Sequence, residues 1–286
     1  MSDTVSPQSK AAKPFLKWVG GKTQLLPQIT ALMPASYNRY FEPFLGGGAL
    51  FFALKPQSAV INDINKTLIH TYRTIKHDVE QLITDLQALE TTYHALDHDA
   101  RKAYFYERRD EFNSIDHPDH RKAVLMIFLN KTCFNGMYRE NSKGKFNVPF
   151  GDYKQPKICD PDNLRAVNRL LQGVEPLNTS YRQAVTEAQA GDFVYLDPPY
   201  HPLNATSSFT SYSIDNFSAQ DQTDLRDLFK ELDQRGCKVM LSNSSAEFIK
   251  ELYKDFRQES VLAARAINSK GSGRGKINEL IVLNYK

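Results

Sequence analysis

The sharpest chemistry in the sequence sits at Asp197-Pro198-Pro199-Tyr200. These residues follow Phe193-Val194-Tyr195-Leu196, an apolar run that reads as a buried strand. Pro198 restricts Asp197 to extended geometry and Pro199 does the same to Pro198. Neither proline offers an N–H. The strand therefore ends in a stiff corner that presents only acceptors, the Asp197 carboxylate and nearby backbone carbonyls, beside an aromatic ring. Such a corner suits a planar group bearing an NH2, such as the amino edge of a nucleobase. The plain alternative is a strand followed by a proline-rich turn.

A second constellation lies near the N-terminus. Phe44-Leu45-Gly46-Gly47-Gly48 is a glycine turn that lets a ligand approach the backbone. It departs from the dinucleotide fingerprint, because Phe51 stands where a third Gly or Ala is needed. Asp63 follows Gly46 by 17 residues, near the spacing at which an acid reaches ribose hydroxyls. The pair points to an adenosine-containing ligand, against a tight turn plus a solvated acid. Trp18-Val19-Gly20-Gly21-Lys22-Thr23 fails as a phosphate loop, since Leu16 replaces the required glycine. Its glycines still let Trp18, the single tryptophan, and Lys22 close on a ligand.

The elements that position these residues read as α/β. A helix is expected over 22–33, a strand over 40–45, a helix over 49–54 and a strand over 58–63. From 66 to 130 apolar residues recur at helical spacing, with further helices over 101–112 and 121–130. The stretch 131–161 is polar, basic and without period, too long for a plain connection. Strands return at 193–197, 237–242 and 279–283, with helices over 219–234 and 246–256. The expected architecture is a Rossmann-like mixed, mainly parallel sheet with helices on both faces, built from 14–65 and 163–286. A mainly helical segment, 66–162, is inserted, and a flexible tail covers 1–13.

Composition sets the outer limits. Of 286 residues, 41% are hydrophobic and 24% charged, ordinary for a globular chain with a substantial core. Mean hydropathy is −0.49 and no run approaches the roughly 20 apolar residues of a membrane helix. The start of the chain lacks the apolar run of a secretory signal, so a cytoplasmic setting and no membrane partner are expected. Cys133, Cys159 and Cys237 form no CxxC pair. His94 and His98 have i,i+4 spacing without an HExxH motif or a cysteine partner, so no metal site is expected. Net charge is only +3, but between His117 and Asp160 eight bases face four acids, interleaved with Phe134, Tyr138, Phe146, Phe150 and Tyr153. That pattern suits phosphate contact plus base stacking. Arg265, Lys270, Arg274 and Lys276, with Gly271, Gly273 and Gly275, suggest a second phosphate-facing loop, against plain solvated charge.

Taken in order, Lys17-Trp18-Val19-Gly20-Gly21-Lys22, Glu42-Pro43-Phe44-Leu45-Gly46-Gly47-Gly48, Ile61-Asn62-Asp63 and Asp197-Pro198-Pro199-Tyr200 resemble the Dam-type (D12 class) DNA adenine-N6 methyltransferases. Phe134-Asn135-Gly136-Met137-Tyr138-Arg139 and Phe146-Asn147-Val148-Pro149-Phe150-Gly151 resemble their target-recognition region. The likeness runs from about 14 to 285 and is closest to the duplex GATC methylases of DpnII-type restriction systems. It implies an S-adenosyl-L-methionine-dependent enzyme acting as a monomer on double-stranded DNA, with a companion restriction endonuclease as a further partner. It places Trp18, Lys22, Phe44, Gly46, Gly48, Asp63 and Asp197 around the cofactor. It makes Asp197, Pro198 and Tyr200 catalytic, and Lys17, Phe134, Asn135, Met137, Arg139, Pro149 and Tyr153 DNA-binding.

On that resemblance the Asp197 carboxylate accepts one N6–H and the Pro198 carbonyl the other, while Tyr200 stacks on an adenine that has left the helix. Phe134 fills the vacated stack. Arg139 reads a guanine edge, Lys17 meets the other guanine and Met137 lies near the thymine methyl. Two alternatives stay open. One is an RNA adenine or cytosine-N4 methyltransferase; Asp at position 197, where cytosine-N4 enzymes commonly carry Ser, and the 134–153 segment weigh against it. The other is a catalytically inactive DNA-binding regulator, against which the intact Asp197 motif and Asp63 weigh.

Overall fold

The computed structural model describes residues 11–203, 217–264 and 276–286. The N-terminal ten residues, and Arg265, Lys270 and Arg274 of the second basic stretch, lie outside them.

Apolar runs buried on both faces build the centre of the sheet. Strands β1 (Tyr40–Glu42), β2 (Ala59–Asn62) and β4 (Phe193–Leu196) are buried at every residue, the pattern of a parallel sheet covered on both sides. With β3 (Val174–Leu177), β5 (Lys238–Ser244), β6 (Arg257–Ala264) and β7 (Lys276–Leu283) they form one seven-stranded sheet in the order β3-β2-β1-β4-β5-β7-β6. The strands from β3 to β5 pair in parallel, and β7 runs antiparallel to both neighbours. The expected mixed, mainly parallel sheet is therefore present.

The two-residue period sorts the strand side chains between two cores. Tyr40, Ile61, Phe193, Tyr195 and Met240 face one, with α2 (Ala49–Leu54) and α3 (Lys66–His77). Phe41, Val60, Val194, Leu196 and Leu241 face the other, with α9 (Ala219–Gln234) and α10 (Glu247–Leu252). The segment after β2 folds into α3, α4 (Val79–Ala95), α5 (His98–Ser114), α6 (His120–Thr132) and α7 (Pro161–Leu171) before β3 begins, and the short α8 (Tyr181–Ala184) follows β3. Helix α6 is buried continuously from Ala123 to Asn130, so it forms the centre of this helical layer. The apolar residues of these helices share one continuous core with the first face of the sheet.

Several boundaries differ from the expected ones. Helix α1 (Leu26–Ala31) is shorter than 22–33, because Pro27 lacks an N–H and belongs in a first helical turn. Residues 22–25 form a turn in which Leu25 N–H donates to the Lys22 carbonyl. Strand β1 stops at Glu42 because Pro43 cannot donate to the ladder. β3 has no sequence expectation behind it: Pro176 interrupts its run, which is tolerated because β3 is an edge strand. β6, the other edge, is polar over Arg257-Gln258-Glu259-Ser260 and likewise lacks a strand signal. The stretch 131–161 is not shapeless. Isolated bridges Cys133–Phe150 and Glu140–Phe146 close it into an irregular antiparallel ribbon, turning where Gly144 N–H donates to Asn141 O.

Candidate active site

The strand order reverses at β1, which has β2 on one side and β4 on the other. Open α/β sheets bind ligands at such a switch point, beyond the carboxyl ends of the strands. Phe44 to Gly48 leave β1 there, Asp63 leaves β2 and Asp197 leaves β4.

Asp63 organises the first half of this crevice. Its Oδ2 accepts from Gly46 N–H and its Oδ1 from Asn65 N–H, each at 2.8 Å. Asn65 in turn caps α3 by accepting from Leu68 N–H at 2.9 Å. The acid thus ties the glycine turn to the start of α3. Next to it, Ile64 is 64% exposed. Gly46 has φ +49° and lies under the Trp18 indole: a Cβ there would stand 2.8 Å from Trp18 Cδ1. Only glycine meets both conditions. Phe44 stacks on Tyr181, centroids 5.3 Å apart, and meets Phe217 edge-on at 6.0 Å. Gly48, also at positive φ, is the N-cap of α2.

The second half centres on Asp197. The Lys22 ammonium lies 2.9 Å from Asp197 Oδ1, donates to Gly20 O at 2.9 Å and sits 4.6 Å from the Tyr200 ring centroid. The side chains of Lys22 and Asp197 are only 9% and 17% exposed. Desolvation raises the Asp197 carboxyl above its usual range, and the Lys22 charge opposes that rise. The Tyr200 hydroxyl donates to Glu279 Oε2 of β7 at 2.6 Å. Pro198 is buried, and none of the described residues donates to its carbonyl. Glu42, at the end of β1, accepts from the Tyr40 hydroxyl at 2.7 Å. Burial is the main cause that pushes its carboxyl up to about 8, with Asp197 and Asp63 adding to the rise.

A polar ribbon flanks the crevice. Phe134 is 50% exposed, and its N–H donates to Pro149 O at 2.9 Å. Asn135 adopts the left-handed conformation with its side chain exposed. Met137 is half-buried against the core. Arg139 Nε donates to Asn147 Oδ1 at 2.7 Å, which aims the guanidinium. Lys17 Nζ lies 5.7 Å from the Tyr153 ring centroid. Asn130, buried in α6, joins this ribbon to the N-terminal segment: it accepts from Lys17 N–H and donates to Lys17 O and Gly136 O, each at 2.9 Å. Gly136, at φ +64°, has no room for a side chain, since a Cβ would stand 2.5 Å from Lys17 Cδ.

The residues singled out from the sequence thus gather into two adjoining groups. Trp18, Lys22, Phe44, Gly46, Gly48, Asp63, Asp197, Pro198 and Tyr200 line the strand ends, while Phe134, Asn135, Met137, Arg139, Pro149 and Tyr153 lie on the ribbon beside them and Lys17, on the N-terminal segment, is tied to it through Asn130. Tyr181, Glu279 and Asn130 join the site from distant positions and carry no local motif in the sequence. Glu42 and Asn147 stood inside the motifs without a role.

A model of the family described as D12 class N6 adenine-specific DNA methyltransferase matches residues 18–267. The chain is 49% identical over 278 residues to Type II methyltransferase M1.LlaDCHI of Lactococcus lactis subsp. cremoris, covering 96% of this chain and 95% of that protein. It is 45% identical over 286 residues to Type II methyltransferase M.MjaIII of Methanocaldococcus jannaschii, covering 96% and 99%. To the DNA adenine methylase of Serratia marcescens it is 35% identical over 275 residues, covering 96% and 99%.

Proposed function

The chain belongs to the D12 class N6 adenine-specific DNA methyltransferase family, and on that premise we propose that it transfers the methyl group of S-adenosyl-L-methionine to N6 of an adenine swung out of duplex DNA, within GATC. The observation that carries this reading is the pairing, across the β1–β4 switch point, of an acceptor-only corner at Asp197 and Pro198 with the Asp63-braced glycine turn.

The residues present fit the cofactor. Trp18 closes on Gly46, the Asp63 carboxylate is an acceptor of the kind ribose hydroxyls call for, and exposed Ile64 and the Phe44–Tyr181 stack offer apolar faces to an adenine ring. When bound, S-adenosyl-L-methionine supplies a methyl group activated by its sulfonium charge.

Adenine N6 is a poor nucleophile because its lone pair is delocalised into the ring. Asp197 accepts one N6–H and the Pro198 carbonyl the other, which favours the pyramidal, electron-rich nitrogen over the flat one. Tyr200, steadied by Glu279, stacks on the base and orients it. Lys22 holds the Asp197 carboxylate toward its ionised, accepting form. The proton leaves N6 after transfer. Phe134, half exposed at the ribbon's edge, enters the gap that the extruded adenine leaves. Arg139, Lys17 and Met137 read the flanking bases.

Incubation with methyl-labelled cofactor tests the reading. Label is expected on duplex DNA containing GATC and absent when the adenine of that site is already methylated. Label on RNA alone, or duplex binding without label, would overturn it.

A further inference from the structure

The corner that carries Asp197 has an anchoring problem. Pro198 and Pro199 have no N–H, so two consecutive residues can be tied to the fold only through their carbonyls. Two amides that form no hydrogen bond with the site's side chains meet that need. Gln222, in the first turn of α9, and Asn243, in β5, are both fully buried. Gln222 Nε2 donates to the Pro199 carbonyl at 2.9 Å. Gln222 Oε1 accepts from Asn243 Nδ2 at 2.9 Å. Asn243 Oδ1 accepts from His201 N–H at 3.1 Å and from Ser244 N–H at 2.8 Å.

The direction of this relay has one solution. Two backbone donors converge on Asn243, so its oxygen faces them and its NH2 faces Gln222. Gln222 must then turn its oxygen to Asn243, which leaves only its NH2 for Pro199. The relay grips the chain on both sides of Tyr200, and by taking the Pro199 carbonyl it orients the peptide between Pro199 and Tyr200. The Pro198 carbonyl stays without a donor from the described residues. An apolar pair would fill the space between α9 and β5 equally well, and a buried amide left unpaired is costly. What the amides add is the geometry of the corner.

We propose that Gln222 and Asn243 are positioning residues for methyl transfer. Acting through the Asp197-Pro198-Pro199-Tyr200 corner, they hold the Pro198 carbonyl and the Tyr200 ring at the angle the target amine requires, with no contact to the base. This rests on the reading of that corner as the place of transfer. Rates of positioned reactions fall steeply with small displacements, so the relay's contribution belongs to the transfer step and not to binding.

Single-turnover transfer to a GATC duplex, measured across pH for the wild type, Gln222→Leu and Gln222→Glu, tests it. Gln222→Leu is expected to slow transfer by about tenfold to a hundredfold, the scale of one misplaced buried hydrogen bond. Duplex and cofactor affinities should stay within about twofold. Gln222→Glu distinguishes positioning from loss of fold. As a carboxylate, residue 222 turns an oxygen onto the Pro199 carbonyl and repels it; protonated, it donates there again and still accepts from Asn243. Its rate relative to wild type should therefore climb as pH falls from about 8.5 to about 6, the range into which burial lifts a glutamate. A wild-type rate in Gln222→Leu, a flat Gln222→Glu ratio, or binding lost in step with rate would each overturn the inference while wild-type transfer upholds the function. A wild-type protein that leaves the label on the cofactor would overturn both.

Discussion

The Trp18 indole lies stacked on the Tyr138 ring, with centroids 5.2 Å and planes 17° apart. Trp18 covers the glycine turn after β1, whereas Tyr138 stands on the ribbon between Met137 and Arg139. The stack therefore joins the two groups of the site, alongside the Asn130 bonds to Lys17 and Gly136. Its expected consequence is that the glycine-turn side senses the ribbon. Tyr138→Ala removes a contact worth about 0.5–1.5 kcal/mol beyond area burial. It should weaken S-adenosyl-L-methionine binding by roughly twofold to tenfold although the residue lies on the ribbon. Cofactor titration with and without duplex measures this. An affinity equal to wild type in both conditions would show that the two groups are independent.

Lys22 and Asp197 make a second prediction, in pH. Burial raises the Asp197 carboxyl and the Lys22 ammonium at 2.9 Å lowers it. In the proposed mechanism transfer needs the ionised carboxylate, so the rate is expected to fall on the acid side as Asp197 takes up a proton. In Lys22→Met the opposing charge is gone, Asp197 moves further up, and the acid limb of the single-turnover profile shifts to higher pH. Asp197→Ala removes the acceptor itself and should lower transfer by at least about a hundredfold while duplex binding persists. Superimposable acid limbs in wild type and Lys22→Met would sink the assignment of that limb to Asp197.

The parts of this site that were legible beforehand are local in the chain. Asp63 and Asp197 each follow an apolar strand directly and Gly46 stands four residues past the end of β1, so strand end and candidate residue appear in one short motif. Proline both helped and hindered. It marked the corner at Pro198, yet Pro176 hid β3, and Pro27 moved the start of α1 past the turn that brings Lys22 to Asp197. Polar residues brought in by topology left no trace. Glu279 reaches Tyr200 from an antiparallel strand 79 positions away. Gln222 sits in a helix whose polar composition disguises one buried amide. The ribbon escaped because its pairing is two isolated bridges, without the alternation of a regular strand.

Arg139 gives a prediction about specificity. Its Nε bond to Asn147 Oδ1 holds the guanidinium in one orientation, the condition for bidentate reading of a guanine edge. Arg139→Ala should lose about 1–3 kcal/mol of discrimination at one base pair of GATC, with a smaller change on unrelated duplex. Asn147→Ala keeps the charge and frees the fork, and should show part of the same loss. Competition between GATC and singly substituted duplexes reads both. A site preference unchanged in Arg139→Ala would assign the residue to phosphate contact.

Glu42 links the site to stability. It is 3% exposed, and its carboxyl is pushed up to about 8, chiefly by burial, with Asp197 and Asp63 raising it further against the Tyr40 hydrogen bond. A group raised on folding keeps its full contribution below its unfolded value and loses it as pH climbs toward its folded one. Between an ordinary glutamate value of about 4.3 and about 8, the unfolded chain ionises at this position while the folded one stays protonated. Stability then falls with pH by up to about 1.4 kcal/mol per pH unit from this group alone, and the slope ends above the folded value. Glu42→Gln retains an oxygen to accept from Tyr40 and has no proton to lose. Denaturant midpoints of the two proteins should therefore converge near pH 4 and separate progressively to about pH 8, with the variant the more stable there. Parallel curves across that range would mean that Glu42 is ionised in the folded protein, and that a second negative charge stands beside Asp197.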